Sequence, residues 1–512
     1  MSGTMPKKPI VKFLKDGNLI TIAEPSQRVV RTLKKTLEFT VLNSEHERGQ
    51  LRMAPEVRNA LEKLGPLPDF PTRYVFPAGF RSKCVRVLKA AGYRPMIKDL
   101  RKPDNPEVYE PQWHRLLDNG VTFKWMQRKI LERLCAAQYG QIKCPPGYGK
   151  SFLIYCLTEL HPKATFAIST HSVDVLDQIH KELVKRMPGV GMVTGAQKDF
   201  GRRVTCYSGK SIHHCPAPVD FFIVDEVHEF ATDRYLSAVG GSEAFRFSKR
   251  FGFSANVQDR SDNADFALEG VFGPKLADLA YADCVRHNCV TQIEVQWRDC
   301  HMARDPSMGF HSTVDQERAA IWLNEYRNHL IANDARQIPA NEQVLITVET
   351  IAHAMALKKL LPEFTMVYGH LNPTEEEDRR HYIDTGCITE DEPAMTLERR
   401  RMLKNQFEDR KLKRVIATGV WKRGVDFRAL QWLIRADGRA SPISDMQIPG
   451  RTSRISTETG KRRSVVIDYL DQFSDKWAAK AASRSRNYRK YEWEQVRPAD
   501  AGRKKNKRRH TA

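Results

Sequence analysis

Short apolar runs recur along the chain and alternate with segments long enough for helices. Between residues 112 and 299 they fall at 141–144, 165–169, 204–207, 221–224 and 251–254. The same texture returns between 343 and 469, at 344–348, 365–368, 415–418, 432–435 and 465–469. Runs that are apolar throughout belong to strands buried on both faces, and helix-length spacers are crossover connections. Each set therefore predicts a parallel sheet covered by helices. The polar stretch 304–318 between the sets reads as a hinge. Ahead of them, short β-like runs at 11–13, 19–22 and 39–42 mix with a helical pattern over 82–91, which predicts a small α+β domain. The segment KPDNPEVYEPQ at 102–112 is rich in proline and charge and reads as a linker. The expected fold is α/β: two tandem parallel-sheet domains, 106–303 and 304–475, after an accessory domain, 1–105, and before a basic tail, 476–512.

Composition adds limits. A chain of 512 residues exceeds one core of usual size. Its 41% hydrophobic and 28% charged residues make a soluble globular mix. No uncharged apolar run approaches the ~18 residues of a membrane span, and the N-terminus has no apolar core of a secretory signal. The formal net charge of +21 attracts polyanions, nucleic acid above all. Residues 1–100 carry 19 Lys and Arg against 9 Asp and Glu, which suits either a solvated basic face or a DNA-binding accessory domain. An acidic stretch at 371–396 reads as a solvated insertion, and six of the seven residues from 503 to 509 are basic. The ten cysteines read as reduced, buried thiols. Two clusters, His213, His214 and Cys215, and Cys284, His287 and Cys289, lack the paired CxxC units of a zinc site.

The sharpest local signal is CPPGYGKS, residues 144–151, between a strand-like QIKC and an apolar helix. Gly147 and Gly149 let backbone N–H groups approach phosphate oxygens, Lys150 reaches the terminal phosphates, and the Ser151 hydroxyl suits Mg2+. Pro146 and Tyr148 complete the loop. Cys144 stands where the usual first glycine would be. A second signal, FFIVDEVHEF, puts Asp225 and Glu226 at the end of an apolar strand. There, an Asp holds Mg2+ and the next Glu orients or activates the attacking water. Together the two point to hydrolysis of a nucleoside triphosphate.

The ordered motifs resemble the DExH-box helicases of superfamily 2. DEVH matches their acidic box and CPPGYGKS their first motif. WMQRKIL resembles the upstream segment whose glutamine reads adenine, which makes Gln127 the candidate. AISTHSVDVLDQI resembles the segment that touches the nucleic-acid backbone, and GFSANVQDR the Ser-Ala-Thr motif, with Asn256 in place of the threonine. VIATGVWKRGVDF resembles the fifth motif, with Thr418, Gly424 and Asp426 in register. QIPGRTSR resembles the sixth, in which Arg451 and Arg454 are expected to reach the phosphates across a cleft and Gln447 to link to His228. Thr170, Ser208, Lys210 and Thr418 are candidate nucleic-acid contacts. The segment YVFPAGFRSKCVRVLKAAGY, 74–93, looks like the domain ahead of the motor in phage branch-migration helicases of the UvsW kind.

The resemblance implies two tandem RecA-like domains, ATP and Mg2+ as cofactors, and a DNA helicase acting on branched, forked or duplex intermediates of recombination, repair or replication. RNA stays open as a partner. It further implies a monomer or weak oligomer in the cytoplasm of a bacterial or phage-infected cell, with 3′-to-5′ travel common among relatives. Rival readings are a duplex translocase of the restriction or remodelling type, an RNA helicase, and a nucleic-acid-binding scaffold with a decayed motor.

Overall fold

A computed structural model describes residues 9–16, 19–23, 25–47, 50–64, 73–99, 106–216, 218–230, 239, 242–255, 264–369, 380, 383–384, 395–421, 427–456 and 458–498. Most of the acidic stretch 371–396, the basic run 503–509, and Asn256, Gly424 and Asp426 lie outside them.

The accessory domain is a five-stranded mixed sheet. Its strands run in the order Glu62–Leu64, Arg73–Pro77, Leu19–Ala23, Ile10–Asp16 and Arg94–Asp99, with only the last pair parallel. Helices Gln27–Leu37 and Arg81–Ala90 share one core with it, including Phe13, Ile22, Leu33, Phe76 and Leu88. The first helix is not among the expected elements. Its buried face is a single row of Val29, Leu33 and Leu37, too thin a stripe to stand out among lysines, arginines and threonines. Ser26 starts it by accepting a bond from Val29 N. A hairpin, Glu38–Glu47 with Gln50–Asn59, extends from it.

The first RecA-like domain is a seven-stranded sheet, parallel throughout. The order is Gly191–Val193, Val204–Ser208, Phe166–Thr170, Phe221–Asp225, Lys249–Ser254, Tyr139–Lys143, Lys275–Asp278. Helix Lys150–Leu160 is buried from Leu153 to Leu160, which is why its sequence is apolar on every side. Arg203 closes its far end by donating to the carbonyls of Thr158, His161 and Ala164.

The second sheet is also seven-stranded and parallel: Thr365–Val367, Arg414–Ala417, Val344–Thr347, Trp432–Arg435, Arg463–Gln472, Gln292–His301, Glu494–Val496. The fold is thus two tandem RecA-like domains after a small α+β domain.

By contacts the chain divides after Leu279, and the second unit comprises Pro145–Tyr148 with Ala280–Ala512. Strand Gln292–His301, expected in the first motor domain, therefore belongs to the second, where it pairs along its whole length with Arg463–Gln472. The expected hinge, 304–318, lies inside this unit. It includes a short helix, Thr313–Glu317, that continues into a π-turn, Arg318–Trp322. Helix Asp475–Lys490 and strand Glu494–Val496, expected in the tail, are built into the unit.

Three buried arginines explain that helix's place. Arg484 donates to Asp468 and to the carbonyls of Gly438 and Tyr469. Arg435 bonds Asp437, Asp445 and the Tyr488 hydroxyl, which itself donates to Asp468. Arg327 bonds Asp471 and the Ala436 carbonyl. A charge this deep is tolerated only when paired and hydrogen-bonded. Replacing Arg484 with Ala takes the countercharge from Asp468, 0% exposed, and one of two guanidinium partners from Asp471, 1% exposed. The expected loss is about 3–5 kcal/mol, read by urea denaturation; a loss below about 1 kcal/mol would show the chain to be dispensable.

Candidate functional site

The carboxyl ends of three adjacent strands make the first part of the site. In register, Asp225 faces Phe253 and Ser254 faces Lys143, so the chain leaving Lys143 starts its loop beside Ser254. Cys144 N donates to the Ser254 carbonyl at 3.1 Å. Cys144 is buried, and burial pushes its thiol up to about 12, so it is a small neutral core group. A glycine is not required there. Gly147 and Gly149 have φ of +78° and +113°, where a side chain is strained. Gly149 caps helix Lys150–Leu160, whose first turn carries Lys150 and Ser151.

Lys150 Nζ lies 2.8 Å from Glu226 Oε1, and its side chain is only 12% exposed. Burial opposes the ammonium, but the Glu226 and Asp225 carboxylates outweigh it and hold it protonated above the usual lysine range. Glu226 adopts φ +51°, a left-handed conformation that costs a non-glycine residue about 1–3 kcal/mol. Its other oxygen lies 3.5 Å from both Ser254 Oγ and His228 Nδ1. His228 is buried and 2.7 Å from Ser254 Oγ. Asp225 is buried, and burial pushes its carboxyl upward despite the pull of Lys150. Its Oδ1 is buried without a hydrogen-bond partner. An orphaned carboxylate oxygen beside a hydroxyl-bearing first turn suits a hard cation with oxygen ligands. Asp225 and Ser151 therefore fit Mg2+.

Gln127 begins helix Gln127–Ala136, accepts from Lys124 N at 2.9 Å, and is buried. A Cβ on Gly149 would lie 3.0 Å from its amide nitrogen, so Gln127 lies against Gly149. At the other side of the sheet, Ser208 and Thr170 are register partners at the strand ends. Both are buried, and Ser208 bonds Ser211. Of the three candidate backbone contacts in this unit, only Lys210 is exposed.

The second unit holds the other candidates. Helix Pro442–Gly450 carries Gln447 and runs into Arg451, with Arg454 just beyond; all three are half-buried. The turn between the arginines is pinned by its backbone. Thr291 N donates to the Ser453 carbonyl, and Ser464 Oγ and Thr291 Oγ1 to that of Thr452. Within the same unit, Ser453 Oγ donates to the Pro146 carbonyl at 2.8 Å. A Cβ on Gly450 would meet the Pro146 ring at 2.6 Å. Thr418 is buried after strand Arg414–Ala417. Thr291 and Ser464 carry no motif and were not expected; only their pairing to this turn marks them. Among the described residues no group of three or more His, Cys, Asp or Glu side chains is placed to hold a metal ion.

Residues 328–456 match the helicase conserved C-terminal domain family. The match makes this segment similar to a helicase C-terminal domain. It spans the strands from Val344–Thr347 to Trp432–Arg435 and the arginine turn, and stops short of the helix that holds Arg484. A comparison with curated proteins finds no match. Among solved structures, Saccharomyces cerevisiae Dbp5 bound to RNA and ADP BeF3 aligns with a TM-score of 0.52 at 14% identity, over 78% of this chain and 95% of that one. This likeness supports the fold. UvsW of phage T4 aligns over 95% of this chain and 99% of its own at 14% identity, with a TM-score of 0.41. That value adds nothing to the fold assignment.

Ser254 supports a histidine on one side and a glutamate on the other. Ser254→Ala leaves His228 buried with one partner fewer, which is expected to cost about 1–3 kcal/mol. Thermal denaturation measures it, and an unchanged midpoint would remove Ser254 from this account.

Proposed function

We propose that this chain is an ATP-dependent DNA helicase or translocase of the DExH kind, acting on branched, forked or duplex intermediates of recombination, repair or replication. The observation that carries the reading is the Lys150–Glu226 pair beside buried Asp225, at the end of three parallel strands, in a chain whose residues 328–456 match the helicase C-terminal family.

The residues divide the work as follows. Lys150 leaves Glu226 for the terminal phosphates when a nucleotide occupies the loop, and Gln127 reads the base. Glu226, released, orients the attacking water and accepts its proton at the carboxylate. Ser151 and Asp225 would hold Mg2+, which when bound neutralises charge on the phosphate oxygens. Arg451 and Arg454 stabilise charge developing on the transferred phosphoryl group. Gln447 and His228 relay the nucleotide state, and Gly424, Asp426 and Thr418 follow from the fifth motif. Lys210 is the exposed backbone contact of the first unit. The boundary after Leu279 is the working division between the two halves of the motor.

The favoured partner is DNA, on the basic accessory domain and its resemblance. RNA is the competing substrate, and a translocase that moves without separating strands the competing activity. Lys150→Ala is expected to abolish ATP hydrolysis while nucleic-acid binding persists; unchanged turnover would overturn the assignment. Chelation of Mg2+ should stop turnover of the native chain. ATPase rates with single-stranded, duplex, forked and four-way-junction DNA, set against matching RNAs, identify the partner. Strand displacement on forks separates helicase from translocase.

A further inference from the structure

The two helices of the accessory domain carry positive charge only. Gln27–Leu37 holds four lysines and arginines and no acid, and Arg81–Ala90 likewise. In the first helix the buried row Val29, Leu33 and Leu37 turns Arg28, Arg31 and Lys35 to the opposite, exposed side. In the second, buried Cys84 and Leu88 turn Arg86 and Lys89 outward. The helices pack side by side on one core, so their outer faces form one cationic surface. Neither helix contains an aromatic residue. The surface therefore lacks the stacking platform that unpaired bases need and suits the phosphate backbone of a duplex.

This surface is not on a tether. Gly79 lies so close to helix Ala264–Phe272 that a Cβ there would sit 2.2 Å from the Glu269 carbonyl oxygen and 2.4 Å from that of Gly270. A Cβ on Gly270 would strike the Phe80 ring at 2.9 Å. Phe266 stacks on Phe39 at 4.9 Å and packs on Phe80 at 4.6 Å. Lys83 lies 4.5 Å from the Phe266 ring centre and pairs with Glu269 at 2.8 Å. Tyr139, from the strand that leads into the phosphate loop, belongs to the accessory domain's own core.

We propose that the helix pair Gln27–Leu37 and Arg81–Ala90 is a duplex-phosphate binding site, and that the Gly79–Gly270 seat fixes it to the first motor domain as one rigid piece. Duplex held there moves with the strands that end at Lys143 and Asp225, so the accessory domain is a fixed grip and not a swinging one. The inference rests on the motor reading for its use in unwinding. The binding site itself does not, because duplex affinity is measured without ATP.

Two variants test it. R31A/K35A/R86A/K89A removes four exposed cations. Duplex affinity should fall at least tenfold at moderate salt, and the slope of log affinity against log salt should flatten by about 3–4. Single-stranded DNA binding should change less. A wild-type slope overturns the site, and an equal loss on single-stranded DNA overturns the duplex assignment. Gly79→Val drives a side chain into backbone. It should leave basal ATPase within twofold and cut unwinding of forked duplex about tenfold, with protease cleavage opening between the domains. Wild-type unwinding by a protein so cleaved overturns the fixed grip. Should Gly79→Val fail to fold, Glu269→Gln removes the ion pair without a clash and from outside the cationic helices; its unwinding should fall several-fold at unchanged basal ATPase, and wild-type unwinding counts against the seat.

Discussion

The first RecA-like domain is arranged around an ammonium that water barely reaches. Lys150 can stay charged at 12% exposure only because two carboxylates answer it. Those carboxylates come from the end of strand Phe221–Asp225 and the residue after it, and the parallel register sets their height against the phosphate loop. Glu226 reaches the lysine from a left-handed backbone position that few residues would choose. The strain persists because the pair, the serine and the histidine over-determine that glutamate. A triphosphate entering the loop offers Lys150 a denser negative charge than Glu226 does. The exchange of partners would free the carboxylate when there is something for it to act on.

The second unit solves a related problem in the opposite way. Its buried charges answer one another in a chain of arginines, aspartates and a tyrosine. Asp445 lies two residues before Gln447 on the helix that leads to the arginine turn, and Arg435 and Asn487 both hold it. The C-terminal helix, through Asn487, Tyr488 and Arg484, is therefore part of the frame that positions the turn. It lies beyond the matched segment, yet removing it would take both Arg484 and Tyr488 from buried Asp468. Charged networks of this kind add little net stability but fix one arrangement over others.

Strands that are apolar throughout leave a plain trace in a sequence, and both parallel sheets were legible for that reason. The glycines, lysine and acidic pair of the site were legible too, because phosphate chemistry restricts which residues can serve. Three things were not. Strand Gln292–His301 alternates Gln, Glu and Arg with its apolar residues and stands before the polar stretch 304–318, so nothing local assigns it to either sheet; a long-range pairing decides. Segment 475–490 reads as helical but as the start of a basic tail, because its arginine and tyrosine look solvated until their partners are known. Thr170 and Ser208 read as contacts because they end strands at the expected places. Their burial depends on neighbouring elements that no motif encodes.

The accessory domain shows how a linker pattern can mislead about mechanics. Proline and charge at 102–112 describe how the chain travels between two domains, not how the domains meet. The meeting is set by glycines that allow backbone to approach backbone, and by an aromatic bracket with a lysine across it. Such a contact is short-ranged on both sides: a side chain at Gly79 would overlap a carbonyl, and withdrawal would expose the rings of Phe39, Phe80 and Phe266. It has one well-defined geometry, unlike an ion pair alone, which tolerates several. The fit then follows from shape more than from strength.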